Sequence, residues 1–102
     1  AIAGRSEQVK VATFNGTPFV LDMIRAGDVE MDIGENLDWI AHAMLDAEMR
    51  LLCDMEAVRD SKVPLRIFTA ENIDEVGNPA DPAKGYGDAY VEGYRKLWKI
   101  AE

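Results

Sequence analysis

Residues 9–14 read VKVATF, an apolar, β-branched run of the kind that forms a strand covered on both faces, as in parallel sheets. Asn15 and Gly16 end it. Thr17 stands where a helix cap would, and Pro18 at the first helical position sacrifices no needed N–H. The pattern FVLDMIRA continues that helix until Gly27 closes it, and VEMDI follows as a second strand ending at Gly34. Strand, helix and strand joined by short loops predict a βαβ unit with parallel strands and a right-handed crossover.

A longer helix is expected from about Leu37 to about Val58. Asp38, His42, Asp46, Arg50 and Asp54 recur every fourth residue and draw a narrow polar stripe. Almost everything else there is apolar, including Ile40, Met44, Leu45, Leu51, Leu52 and Met55, which predicts burial around most of the circumference. SKVP breaks the pattern, and LRIFT (65–69) predicts a third strand. A loop rich in Gly, Pro, Asn and Asp follows. A last helix, DAYVEGYRKLWKI, sets Val91, Tyr94 and Trp98 on one docking face, with Leu97 beside them. The fold class expected is α/β, a partial doubly wound parallel sheet.

Composition narrows the function. The 102 residues carry a net charge of −8, spread along the chain, and this field repels phosphate backbones and anionic lipid heads. Nucleic acid is therefore not an expected partner. No apolar run approaches the roughly 20 residues that cross a bilayer. Cys53 is single, so it forms no intrachain disulfide and belongs to no zinc cluster; among helix formers it reads as a small buried hydrophobe. AIAGRSEQ reads as a helix end closed by Gly4, which suggests the C-terminal piece of a longer protein.

In open parallel sheets, ligands bind at the carboxyl ends of strands. Asn15 and Glu35 both stand at such ends. An amide offers a donor and an acceptor, a carboxylate offers acceptors, and together they suit a neutral ligand with several hydroxyls. A phosphate would want Lys, Arg or a glycine-rich run, and FNGTP holds one glycine. Other readings stand beside these. Asn-Gly is common turn chemistry, and Glu35 with Asn36 is a capping arrangement for the long helix. His42 and Asp46 are an i, i+4 pair with no third metal ligand, which reads as two neighbours on a solvated stripe. Trp39 is either a sugar-stacking ring or helix packing. Asp32 and Glu35, three apart on a strand, point to opposite faces and make no catalytic pair.

The stretch VKVATFNGTP, followed by a short helix, RAGDVEMDIGEN and the long helix, resembles the C-terminal part of sugar-binding proteins of bacterial ABC importers, the ribose- and rhamnose-type or type I periplasmic binding proteins. TAENID (69–74) is similar to the family's Thr-x-Glu-Asn-Val/Ile-Asp, and GYGDAYVEGYRKLW to tails of some members. The likeness covers most of the chain from about Ala1 to about Asp74. It implies a fragment of a two-lobed protein: residues 1–34 in the C-terminal lobe, 35–68 as hinge crossing, long helix and strand of the N-terminal lobe, and 69–102 as third crossing, loop and last helix. The crossings imply hinge residues Gly34, Asn36, Thr69 and Ala70.

The resemblance further implies ligand contacts from Asn15, Glu35 and Phe14, with core packing as the other role for Phe14. Asn15 stands where the family has the aspartate of Phe-Asp-Gly, a departure that removes charge-assisted bonds roughly twice as strong as neutral ones. It implies a sugar or polyol ligand, delivery to an ABC transporter membrane permease, no catalysis, no cofactor and no metal. The location implied is periplasmic, or extracellular as a membrane-tethered lipoprotein. The remaining partner is the missing N-terminal portion or, for the fragment alone, a swapped dimer. Two readings of another class are the effector-binding half of a lactose/purine-repressor-like regulator and a Rossmann-like hydrolase or isomerase using Asp32, Glu35 or His42.

Overall fold

The computed structural model describes residues 4, 5 and 7–100. The expected helix end before Gly4 lies outside the described residues; Gly4 itself has φ +63°. The βαβ unit forms as patterned: β1 (Ala12–Asn15), α1 (Pro18–Ala26) and β2 (Met31–Glu35). Pro18 opens α1, though Thr17 makes no side-chain cap, and Gly27 closes it at φ 89° with its N–H on the Ile24 carbonyl. β1 and β2 are parallel, with Ala12 opposite Met31 and Asn15 opposite Gly34. Leu21 and Ile24 of α1 join Val29, Phe68, Ile73 and Val76 in the core. Each such buried side chain contributes about 1.5–3 kcal/mol.

β3 (Leu65–Thr69) pairs with β2 antiparallel, Glu35 opposite Leu65 and Met31 opposite Thr69. The sheet is therefore mixed, in the order β1-β2-β3, and the expected all-parallel sheet is corrected. The cause is the route of the chain. It leaves the sheet after Glu35, runs out along α2 (Leu37–Leu52), and returns to the rim it left, which makes the incoming strand antiparallel. The same route corrects two further expectations. LRIFT belongs to the sheet of β1 and β2, not to a separate lobe. β1 is an edge strand, mostly exposed, instead of covered on both faces.

α2 stops at Leu52, short of Val58, because Asp54 adopts φ 56° and the Cys53 and Met55 N–H groups fold back onto Arg50. Cys53 is exposed there, not buried. The helix also faces the opposite way from the pattern's usual meaning. The middle of its polar stripe, His42, Asp46 and Arg50, is the packed side, turned toward α3 (Ala89–Trp98), with Asp46 only 7% exposed, while Asp38 and Asp54 at the ends stay exposed. Leu37, Ala41, Met44, Leu45, Glu48, Leu51 and Leu52 form the outward face. The polar side chains find partners on α3, while the described residues place no sheet over the apolar side. On α3 the docking face is Tyr90, Tyr94 and Trp98, since Val91 and Leu97 are exposed. The result is elongated, 56 × 26 × 17 Å with a radius of gyration of 17.3 Å, where a compact chain of this length has about 13 Å.

Candidate functional site at the rim of the sheet

Asn15 and Gly16 both take positive φ, 109° and 68°, so β1 turns sharply as it leaves the sheet. Asp32 holds that turn from below. It is fully buried; Thr13 Oγ1 donates to its Oδ1 at 2.7 Å, and the Gly16 N–H donates to its Oδ2 at 2.8 Å. A Cβ on Gly16 would stand 3.2 Å from Gly34 Cα and 3.4 Å from the Glu35 nitrogen. The Asn15 turn thus rests directly on the end of β2.

Glu35 is the last residue of β2 and half-buried. Asn36, fully buried, is the α2 cap: its Oδ1 accepts from the Asp38 and Trp39 N–H groups at 2.9 and 3.1 Å. Capping is accomplished by Asn36 without Glu35. Among the described residues, neither the Asn15 amide nor the Glu35 carboxylate has a side-chain hydrogen bond. The alternating burial of β2 sets Asp32 and Gly34 on the covered face and Ile33 and Glu35 on the other. Asn15 pairs with Gly34, so the two candidate residues share one rim, one register step apart, and the register sets Asn15 toward the covered face and Glu35 toward the other.

The remaining candidates are scattered. Phe14 lies in a row with Ile33 and Ile67 on the uncovered face, away from Asp32. Thr69 and Ala70 are at the opposite rim, because β3 is antiparallel; Leu65 is the residue beside Glu35. Of the four residues expected at a hinge, Gly34 and Asn36 stand at the rim of Glu35, and Thr69 stands beside Met31 at the other. His42 and Asp46 are not on a solvated stripe. The His42 Nδ1–H donates to the Asp38 carbonyl at 2.7 Å, its ring stacks on Trp98, and Tyr90 and Tyr94 close around it. Trp39 packs on Tyr90, with ring centroids 5.2 Å apart. Among the described residues no three His, Cys, Asp or Glu side chains group to hold a metal, and no helix is long and apolar enough to cross a membrane.

Tyr86 is the rim residue that the sequence pattern misses. It arrives from the loop before α3, its ring edge-on to Phe68. Its hydroxyl fills the space that a Cβ on Gly16 or Gly34 would need, at 2.6 and 2.2 Å from those positions. The hydroxyl is buried, and among the described residues it has no hydrogen-bond partner. Burial, then the Asp32 and Glu35 carboxylates, push its ionisation up to about 12, against the pull of Arg66. The glycines flanking it, Gly85 and Gly87, mark a turn, but nothing in the sequence ties it to Gly16 and Gly34.

The rim therefore offers amide and carboxylate groups on an anchored backbone, in an acidic protein, and suits neutral hydroxyl-bearing molecules better than anions. Comparison with protein-family models, with curated proteins and with solved structures finds no match.

Proposed function

We propose that the protein binds a neutral sugar or polyol where β1 and β2 end, as part of a two-lobed receptor that hands its ligand to an ABC importer permease. The observation that carries this reading is the pair Asn15 and Glu35. Both emerge at the carboxyl ends of adjacent parallel strands, and the turn bearing Asn15 is pinned by the buried Asp32. In such a receptor the ligand first meets one lobe, and hinge closure brings donors and acceptors from the other. The route of the chain at this rim, out after Glu35 and back before Leu65, supports a hinge of two adjacent segments. The reading places the receptor in the periplasm, or outside the cell on a lipid tether, and assigns it no catalytic step.

The test is a thermal-shift panel of pentoses, hexoses, deoxyhexoses and polyols on the natural gene product that carries this chain, followed by calorimetry on the best ligand. Asn15→Ala and Glu35→Gln are each expected to weaken that ligand by about tenfold or more, the loss of one well-made polar contact. A panel with no shift, or an unchanged affinity in both variants, rejects the reading.

A further inference from the structure

We infer that this chain forms a two-fold dimer in which the apolar face of α2 from each copy covers the bare sheet face of the other. The inference needs no sugar, and it competes with the second lobe of the proposed receptor, which would cover the same two faces. Among the described residues the sheet is covered on one side only. On the other side Phe14 of β1 and Leu65 and Ile67 of β3 are 58%, 60% and 55% exposed, with half-buried Ile33 of β2 between Phe14 and Ile67. α2 carries the complementary surface: Leu37, Met44 and Leu51 are 46%, 60% and 63% exposed, at helical spacing on one face. One molecule thus holds a sheet lacking a helix and a helix lacking a sheet. Its own α2 is occupied with α3 through the polar stripe and extends away from the sheet. A second copy supplies both missing elements at once, and a two-fold axis makes the exchange reciprocal.

The area agrees. The chain exposes 7429 Å², where a compact protein of 11.3 kDa exposes about 5,700 Å². The excess, about 1,700 Å² on each copy, leaves room for an interface in the range of obligate homodimers, which begins near 2,000 Å² in total. Each copy carries a net charge of −8, so repulsion opposes the apolar attraction. Added salt screens the former and leaves the latter, and the dimer is expected to tighten with ionic strength.

Light scattering on the eluting chain at micromolar concentration is expected to give twice the chain mass of 11.3 kDa. Ile67→Glu on the sheet and Met44→Glu on α2 alter exposed positions, so neither disturbs the monomer's own packing. Each is expected to weaken the dimer by more than about tenfold. In a Cys53→Ser background, chains carrying Met44→Cys are mixed with chains carrying Ile67→Cys and treated with a short bismaleimide. The unlike pair is expected to cross-link in preference to either like pair. A monomer, a polydisperse aggregate, a dimer indifferent to both glutamates, or like-pair cross-links in excess would each overturn the inference.

Discussion

The indole N–H of Trp98 donates to Oδ1 of Asp46 at 3.0 Å, and this bond joins the last helix to the polar side of α2. Asp46 is almost fully buried, and its other oxygen accepts from Arg50 Nε at 2.7 Å. One carboxylate thus serves two donors from two helices, inside a cluster of His42, Tyr94 and Trp98 rings. Trp98→Phe removes one donor and leaves Asp46 paired, for a cost of about 1 kcal/mol. Asp46→Ala leaves the Arg50 guanidinium and the Trp98 N–H both unpaired, for about 2–3 kcal/mol. Urea midpoints of the two variants and their double give the coupling; additive effects would mean that the bond contributes nothing.

The same carboxylate sets an acid limit on the docking of α3. Burial raises the Asp46 ionisation, but the hydrogen bonds from Arg50 and Trp98 and the Arg50 charge outweigh it, so the group lies below the usual aspartate range. A depressed native value stabilises the fold above the unfolded value of about 3.9, and that stability is lost as pH falls through the native one. Tryptophan fluorescence is expected to report release of Trp98 only below about pH 4. In Asp46→Asn this transition should vanish; if it persists, another group controls it.

What the sequence discloses about this fold follows from which interactions are local. Pro18, Gly27 and the Asn15–Gly16 pair mark β1, α1 and β2 because their backbone limits act within one or two residues. The direction of β3 is not written in LRIFT, since it depends on the rim to which α2 returns the chain. The inward side of α2 was hidden for a related reason. A stripe of Asp, His and Arg normally faces water, and only the donors and rings of α3 make it the packed side. At the rim, Asn15 and Glu35 were legible as polar residues at strand ends. Asp32 was legible as a strand position facing away from Glu35 but not as the anchor of the Asn15 turn.

That anchor has a measurable consequence. Asp32→Ala removes the acceptor of the Gly16 N–H and leaves Thr13 Oγ1 only the Met31 carbonyl at 3.3 Å, and an unsatisfied buried donor costs about 1–3 kcal/mol. Thr13→Val removes only one of the two donors and leaves Asp32 on Gly16. Both variants are expected to lower stability, but only Asp32→Ala should broaden the amide resonances of Asn15 and Gly16. Equal broadening in the two would deny the aspartate its separate hold on the turn.

Arg25 ties α1 to the loop that carries Tyr86. Its guanidinium donates to Asp22 Oδ1 at 2.7 Å and to the Gly77 carbonyl at 2.6 Å, and Asp22 in turn accepts from the Ala80 N–H. Lysine keeps the charge but replaces a planar fork by a single point of donation. Arg25→Lys is therefore expected to recover less than half of the stability lost in Arg25→Ala, a loss of about 1.5–3 kcal/mol. Full recovery by lysine would show that charge alone matters there.

Tyr86 and Gly34 form the tightest mutual constraint at the rim, and its parts separate by substitution. A methyl group on Gly34 would meet the Tyr86 hydroxyl at 2.2 Å and the Phe68 ring at 2.8 Å, the latter deep in the core. Gly34→Ala is expected to cost about 2 kcal/mol or more, in the range of overpacked cores. The hydroxyl itself is buried with no partner among the described residues, so Tyr86→Phe removes a desolvated polar group and should stabilise by about 1 kcal/mol. In Tyr86→Phe, Gly34→Ala is expected to cost less than in the parent, though not nothing, because Phe68 still obstructs the methyl. The ionisation gives an independent check. A tyrosine held up to about 12 keeps its stability at pH values below the unfolded value near 10 and loses it as pH rises from there through 12. Absorbance titration should find one of the three tyrosines ionising last, and that late step should disappear in Tyr86→Phe. If it remains, the hydroxyl is not sealed over the two glycines.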